Sequence, residues 1–280
     1  MTRTISQLID DLERSGIRVW VEDGQLRFRA PQGAVTDERR ATLRARREEI
    51  VAHLNAGGFP QLKADPAARY EPFPLTDVQS AYLLGRGRTF VYGGTACHGY
   101  GELRYPELDP RRMTAAWRRL IARHDMLRAV VATDGSQRVL PEVPPYEVAV
   151  TDLRGSGDLQ KAVEATRAEM DHRVLPHDRW PLFEARVTLG DDEAVLHVSV
   201  DFLIADFISI QVILDELHRL YHRPDEALPA LDATFRDYLL AEQEWVAGAR
   251  QDADREYWLS RVDELPLAPD LPIAGHPEQS

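Results

Sequence analysis

The chain has 280 residues, 44% of them hydrophobic and 29% charged, with 18 prolines, 17 glycines and one cysteine. These are globular values: they exclude a disordered or collagen-like polymer, and no apolar run approaches the ~20 residues that span a bilayer. The formal charge of −12 argues against a nucleic-acid binder acting through its overall field.

Lone Cys97 leaves no internal disulfide and no cysteine zinc cluster, which fits a reducing cytoplasm. The polar start Met1-Thr2-Arg3-Thr4 predicts no signal peptide. Charge is spread unevenly: ten arginines face nine acidic residues up to Gly57, leaving a net −13 to the remainder. That shift falls beside Gly57, Gly58, Pro60, Pro66 and Pro72, where no apolar period runs. The predicted organisation is a small module over 1–57, a linker over 58–69, an acidic domain over 70–265 and a proline-bearing stretch over 266–280.

In chain order, Ile5, Leu8, Ile9 and Leu12 recur at helical spacing, Thr4 and Gln7 make a capping-box pair, and Gly16 closes the helix. Ile17–Val21 and Gln25–Arg29 alternate around Asp23-Gly24, a hairpin signal. Thr36 caps a second helix from Asp37 to Leu54 with Leu43, Ile50, Val51 and Leu54 on its apolar face. Alternation turns Ile17, Val19, Val21, Leu26 and Phe28 toward the helices and leaves Arg18, Trp20, Arg27 and Arg29 outside. Two readings of that outer face stand: a solvated charge cluster with a stray aromatic, or a ribbon edge that pairs with another chain's extended acidic segment.

The larger domain mixes strands and helices. A loop and helix span Phe73–Arg86, and a strand at Tyr100–Tyr105 precedes a helix from Asp109 to His124. Short strands follow at Ala129–Ala132, Gln137–Leu140 and Tyr146–Val150, then a helix from Leu159 to Arg173. Longer strands run over Phe183–Leu189 and Val195–Leu203, and helices over Phe207–Tyr221 and Phe235–Leu265. This is an α/β (α+β) class, one sheet with helices packed on it.

Within Leu196–Ser209, strand alternation puts Val198, Val200 and Phe202 on one face and His197, Ser199 and Asp201 on the other. Asp206 stands where it can cap the following helix. A carboxylate at 201 in so apolar a run needs a cationic partner, since an unpaired buried charge is costly. An acid/base pair of Asp201 and Asp206 is the other reading of the same spacing.

Two resemblances sharpen these expectations. The helix–hairpin–helix with Val19-Trp20-Val21, Leu26-Arg27-Phe28-Arg29-Ala30-Pro31 and Gly33-Ala34 resembles N-terminal docking domains of megasynthetase subunits, the type named after tubulysin synthetase. It implies that Arg18, Trp20, Arg27 and Arg29 capture the acidic C-terminal tail of an upstream synthetase subunit, and it implies homodimerisation.

Five segments in order resemble the N-terminal half of a heterocyclisation domain of nonribosomal peptide synthetases. They are Phe73–Arg86, Arg123–Arg128, Asp171-His172 with Trp180–Phe183, Asp201-x4-Asp206 with Ser209, and Phe235–Tyr238. The implied fold is one lobe of the chloramphenicol-acetyltransferase type, with a tunnel between two lobes. Ordinary condensation domains carry His-His-x-x-x-Asp-Gly here. This chain has Asp201 and Phe202 at the histidines, Asp206 at the aspartate and Phe207 at the glycine, so condensation through an imidazole at 202 is disfavoured.

The resemblance implies condensation of an acyl carrier thioester with Cys, Ser or Thr, followed by cyclodehydration to a thiazoline or oxazoline. Phosphopantetheine arms of carrier proteins bring the substrates, and this chain itself binds no cofactor. In this family a C-terminal lobe carries much of the proton transfer, and 266–280 reads as the crossing to it, so the segment alone is expected to be inactive. Asp201, Asp206 and Ser209 form the motif and are read as architectural, with Arg128 as the ion-pair partner of Asp201 and His124 as a helix-end residue. The competing reading is a non-catalytic docking or scaffold protein with an acyltransferase-like lobe.

Other groupings carry less. His218 and His222 have i,i+4 spacing without a third ligand, and His172, His177 and Asp178 fare no better as a metal set. Cys97 and His98, adjacent in a strand, point to opposite faces. Gly85-Arg86-Gly87-Arg88 lacks a nucleotide-loop pattern. Trp117, Trp180, Trp245 and Trp258 are expected to pack in the core or between lobes. Neither a membrane nor a nucleic acid is an expected partner.

Overall fold

The computed structural model describes residues 4–22, 24–31, 33–55, 62–87, 93–155, 157–246 and 249–267. Asp23 of the predicted turn, Gly57 at the end of the predicted small module, Gly58 and Pro60 of the predicted linker, Arg88, and Pro269, Pro272 and Pro277 lie outside the described residues. The chain divides into two compact units, one of Met1–Ala64 with Asp237–Leu271 and one built on Asp65–Arg236.

In the first unit, helix α1 (Ile5–Arg14) starts at Thr4, whose side chain accepts from the Gln7 amide while the Gln7 side chain accepts from the Thr4 amide. Gly16 takes a φ of 74° directly after it, the left-handed turn that glycine makes without strain. Strands β1 (Arg18–Glu22) and β2 (Gln25–Arg29) pair antiparallel. Leu8, Ile9, Leu12, Ile17, Val19, Leu43 and Ile50 form the core.

Two expectations are corrected in this unit. The second helix is divided at Arg46 into α2 (Asp37–Ala45) and α3 (Arg47–Asn55). Just ahead of the break, the Thr42 hydroxyl donates to the Glu38 carbonyl, a back-bond that bends helices. Phe28, expected inside, is 47% exposed although its cross-strand partner Val19 is buried. Leu26, on the same face of β2, packs against the core, so the exposure is local to Phe28.

In the second unit, β3 (Phe73–Pro74), β5 (Ala129–Val131) and β6 (Ser136–Val139) form a small sheet in the order β3-β6-β5. The main sheet has the order β4-β9-β8-β7, from β4 (His98–Tyr105), β7 (Ala149–Asp152), β8 (Phe183–Leu189) and β9 (Ala194–Asp201). Only β7 runs parallel to its neighbour in that sheet. It begins later than predicted, and the Val148 amide donates to the Thr114 hydroxyl at 3.3 Å rather than to a ladder. Tyr146 instead turns its hydroxyl to accept from the Ala185 amide at 2.8 Å.

Helices α4 (Asp77–Gly85), α5 (Pro110–Arg123), α6 (Leu159–Met170) and α7 (Phe207–His222) complete the unit. Strand β9 lies between two neighbours and is buried along its whole length, including the face expected to be polar. The core runs from Met113, Trp117 and Leu120 of α5 through Phe183, Val198 and Val200 to Ile213 and Leu217 of α7. Trp117 stacks on Phe183 with ring centroids 5.3 Å apart.

Of the run predicted as one helix from Phe235 to Leu265, the described residues are helical over α8 (Phe235–Val246) and α9 (Ala249–Leu259), and Val262–Glu264 form a 3-10 turn. Trp258, expected to pack, is 58% exposed. Among the described residues no helix is long and apolar enough to cross a membrane.

Candidate functional site

The candidate site is the turn from the end of β9 into α7, residues 201–209. Asp201 is 2% exposed and its carboxylate is ion-paired with Arg86, which follows α4 and whose side chain is 6% exposed. Arg86 also donates to the Leu175 carbonyl at 2.8 Å. The second Asp201 oxygen accepts from the Leu203 amide at 2.9 Å and so shapes the turn directly. The carboxylate therefore serves as a staple across the end of the sheet, held by one cation and one backbone donor.

A second clamp holds the same turn. Gln79 on α4 donates to the Leu203 carbonyl at 2.7 Å and exchanges amide hydrogen bonds with Gln137 on β6 at 2.9 and 3.0 Å. Gln137 also donates to the Pro74 carbonyl at 2.9 Å. Both glutamines are buried, and each polar atom in that setting requires a partner.

Asp206 is the N-cap of α7. Its Oδ1 accepts from the Ser209 amide at 2.7 Å and from the Ser209 hydroxyl at 2.6 Å. Those two hydrogen bonds hold the Asp206 carboxyl below its ordinary value. Asp201 and Asp206 thus have separate partner sets.

Arg128 is not the partner of Asp201. Its guanidinium turns toward the end of α5, donating to the carbonyls of Ile121, Ala122 (3.0 Å) and Leu140 (3.1 Å) and pairing with Asp125 at 2.7 Å. A cation placed there meets the negative end of the helix dipole. Asp125 is shared with Arg69, which grips it bidentately at 2.7 and 2.8 Å. His124 caps the C-terminus of α5, and its Nε2 lies 2.7 Å from Glu216 on α7, which also takes Arg123. Burial raises the Glu216 carboxyl, and the bonds from Arg123 and His124 outweigh that effect and set it below its ordinary value.

A buried polar cluster that sequence reading did not single out lies between β4, β8 and β9. His197 is fully buried, with Nδ1 at 2.8 Å from the Tyr100 hydroxyl and Nε2 at 3.1 Å from the Thr188 hydroxyl. Tyr100 donates to Glu102, which Arg167 of α6 grips with two bonds of 2.8 Å. The Arg167 bonds are the main reason the Glu102 carboxyl falls to about 2, while burial lowers the His197 imidazole.

In the hairpin, Arg18 faces Arg29 across the ladder and Trp20 faces Arg27. Trp20 is 39% exposed, and Arg27 makes one solvent-exposed ion pair with Glu22 at 3.4 Å. The His218 and His222 rings lie with centroids 4.3 Å apart, tilted at 54°. Among the described residues no group of three His, Cys, Asp or Glu side chains is placed to hold a metal.

Family models match two parts of the chain: the TubC N-terminal docking domain over residues 5–55 and the condensation domain over residues 93–279. The chain is 41% identical over 278 residues to pyochelin synthetase PchF of Pseudomonas aeruginosa, covering 98% of this chain and 15% of that protein. It is 37% identical over 218 residues to phenyloxazoline synthase MbtB of Mycolicibacterium paratuberculosis, covering 75% of this chain and 18% of that protein. The chain therefore spans less than a fifth of these relatives. Among solved structures, the EpoB cyclization-docking bidomain from Sorangium cellulosum superposes with a TM-score of 0.75 at 32% identity, covering 98% of this chain and 55% of that one. The chain belongs to the condensation-domain family, as a TubC-type docking domain followed by the N-terminal lobe of a heterocyclisation domain of chloramphenicol-acetyltransferase-like fold.

Proposed function

We propose that this chain is the entry segment of a longer nonribosomal peptide synthetase, working in the cytoplasm, in which it helps build a thiazoline or oxazoline. Residues 1–57 dock the acidic C-terminal tail of an upstream subunit through Arg18, Trp20, Arg27 and Arg29, and associate with a second copy. The linker is 58–69, and 70–265 is one lobe of the reaction chamber. Residues 266–280 lead to its second lobe.

The substrates are thioesters on the phosphopantetheine arms of carrier proteins. The amine of a Cys, Ser or Thr thioester attacks the upstream acyl carbonyl, so a C–N bond forms and the C–S bond to the donor arm breaks, releasing that arm's thiol. The amino acid's thiol or hydroxyl then adds to the new amide carbon, and the former carbonyl oxygen leaves as water. Dehydration needs a proton delivered to the departing oxygen.

The observation that carries this reading is the state of the two motif carboxylates. Asp201 is locked by Arg86 and the Leu203 amide, and Asp206 by Ser209. These bonds support an architectural role, which fixes the turn that presents Phe202. The chemistry then belongs to a chamber completed by the second lobe. Supplying that lobe is the test. The segment alone should form neither amide nor ring from carrier-loaded substrates, and the two-lobed protein should form both; a scaffold protein would gain nothing from the addition.

A further inference from the structure

Gly99 on β4 faces Val200, one residue before Asp201. Its φ is not in the left-handed region, so its backbone has no need of a glycine. What it provides is space: a β-carbon there would stand 3.0 Å from Cδ1 of Ile210 and 3.3 Å from Cε1 of Phe202. Contacts that short force a neighbour to move.

The ring that fills this space is fixed from several sides. The Phe202 amide donates to the Cys97 carbonyl at 3.0 Å, which continues the ladder by one residue. Tyr82 on α4 packs against the Phe202 ring with centroids 5.9 Å apart. Ile210 reaches the same slot from the first turns of α7. The ring remains half-buried, at the first residue of the turn after β9.

Exposed apolar residues lie one helical turn from two of its contacts. Phe207, one turn before Ile210, is 66% exposed, and Val78, one turn before Tyr82, is 58% exposed. None of Val78, Tyr82, Phe202, Phe207 and Ile210 carries a charge. Such a strip desolvates the hydrocarbon of an acyl group and offers nothing to the polar Cys, Ser or Thr partner.

We propose that Gly99 is a specificity-determining position: the missing β-carbon lets the Phe202 ring lie back against β4, and the depth of that ring sets the size of acyl group accepted from the upstream thioester. The inference rests on the heterocyclisation reading above. Gly99 acts through Phe202 and touches no reacting atom.

The test uses the full-length synthetase that contains this chain, with donor carriers loaded with acetyl or benzoyl and compared by kcat/KM. Gly99→Ala should push the ring forward and lower the benzoyl-to-acetyl ratio about tenfold, the scale that a methylene-sized change in an apolar pocket commands. Adding Ile210→Val removes the methyl group 3.0 Å from the new β-carbon and should restore most of the ratio. Phe202→Leu, with Gly99 intact, should move the ratio the opposite way. An unchanged ratio in Gly99→Ala, or an equal fall for both donors that Ile210→Val does not repair, overturns the proposal. Its failure is distinct from failure of the heterocyclisation reading, in which the wild-type synthetase would form no ring from either donor.

Discussion

Asp201 and Arg86, 115 residues apart in the chain, form an ion pair whose side chains are 2% and 6% exposed. Removing one partner of such a pair leaves an uncompensated buried charge. Asp201→Asn should therefore cost about 3–5 kcal/mol of unfolding free energy, measured by urea denaturation. Arg86→Met should cost a similar amount, and the double variant much less than the sum of the two. A stable but inactive Asp201→Asn would speak for direct chemistry at this carboxylate.

Asp206 makes a different prediction. As an N-cap it should cost about 1 kcal/mol when changed to Ala, and little when changed to Ser, which caps equally well. Its folded pKa lies below the ordinary 3.8. The contribution is thus complete above that value and is lost as pH falls through the lower, folded one. Activity of the full synthetase should follow the melting temperature through this pair of variants.

The cluster around His197 predicts an acid-side instability. Burial lowers the imidazole below its ordinary 6.5, so the unfolded chain binds a proton that the folded one refuses. Stability should then fall as pH drops below 6.5, where the unfolded state protonates first. His197→Gln should flatten that slope in thermal melts between pH 7 and 5. A second decline should remain at lower pH, where Glu102, lowered to about 2 mainly by Arg167, regains its proton only in the unfolded chain at first.

The hairpin prediction separates binding from folding. Arg27 and Arg29 lie on the exposed strand β2, and the Arg27–Glu22 pair is open to solvent, where ion pairs contribute little. Changing both arginines to Glu should leave the melting temperature nearly unchanged while weakening capture of an acidic C-terminal peptide by about tenfold or more, read by fluorescence anisotropy. Unchanged affinity would dismiss this surface.

What was legible in the sequence, and what was not, divides along the range of the interactions. The Thr4 and Asp206 caps, the hairpin and the boundaries of β8 depend on neighbours a few residues away, and the spacing displayed them. The need of Asp201 for a cation was equally readable, since a carboxylate in an apolar strand requires one. Which cation was not: Arg128 and Arg86 both stood in recognised segments, and only the packing of α4 against the end of β9 selects Arg86. Gln79 clamping Leu203, and the exposure of Phe28, are likewise outcomes of tertiary placement. A helical glutamine aligned with buried positions was the available signal for the clamp.

Ring formation is read most directly from the intact mass of the acceptor carrier after turnover by the two-lobed protein. With Cys, Ser or Thr loaded, an acylated species should appear and then become lighter by one water. Accumulation of the uncyclised amide alone, in a fully folded protein supplied with both carriers, would contradict the proposed function.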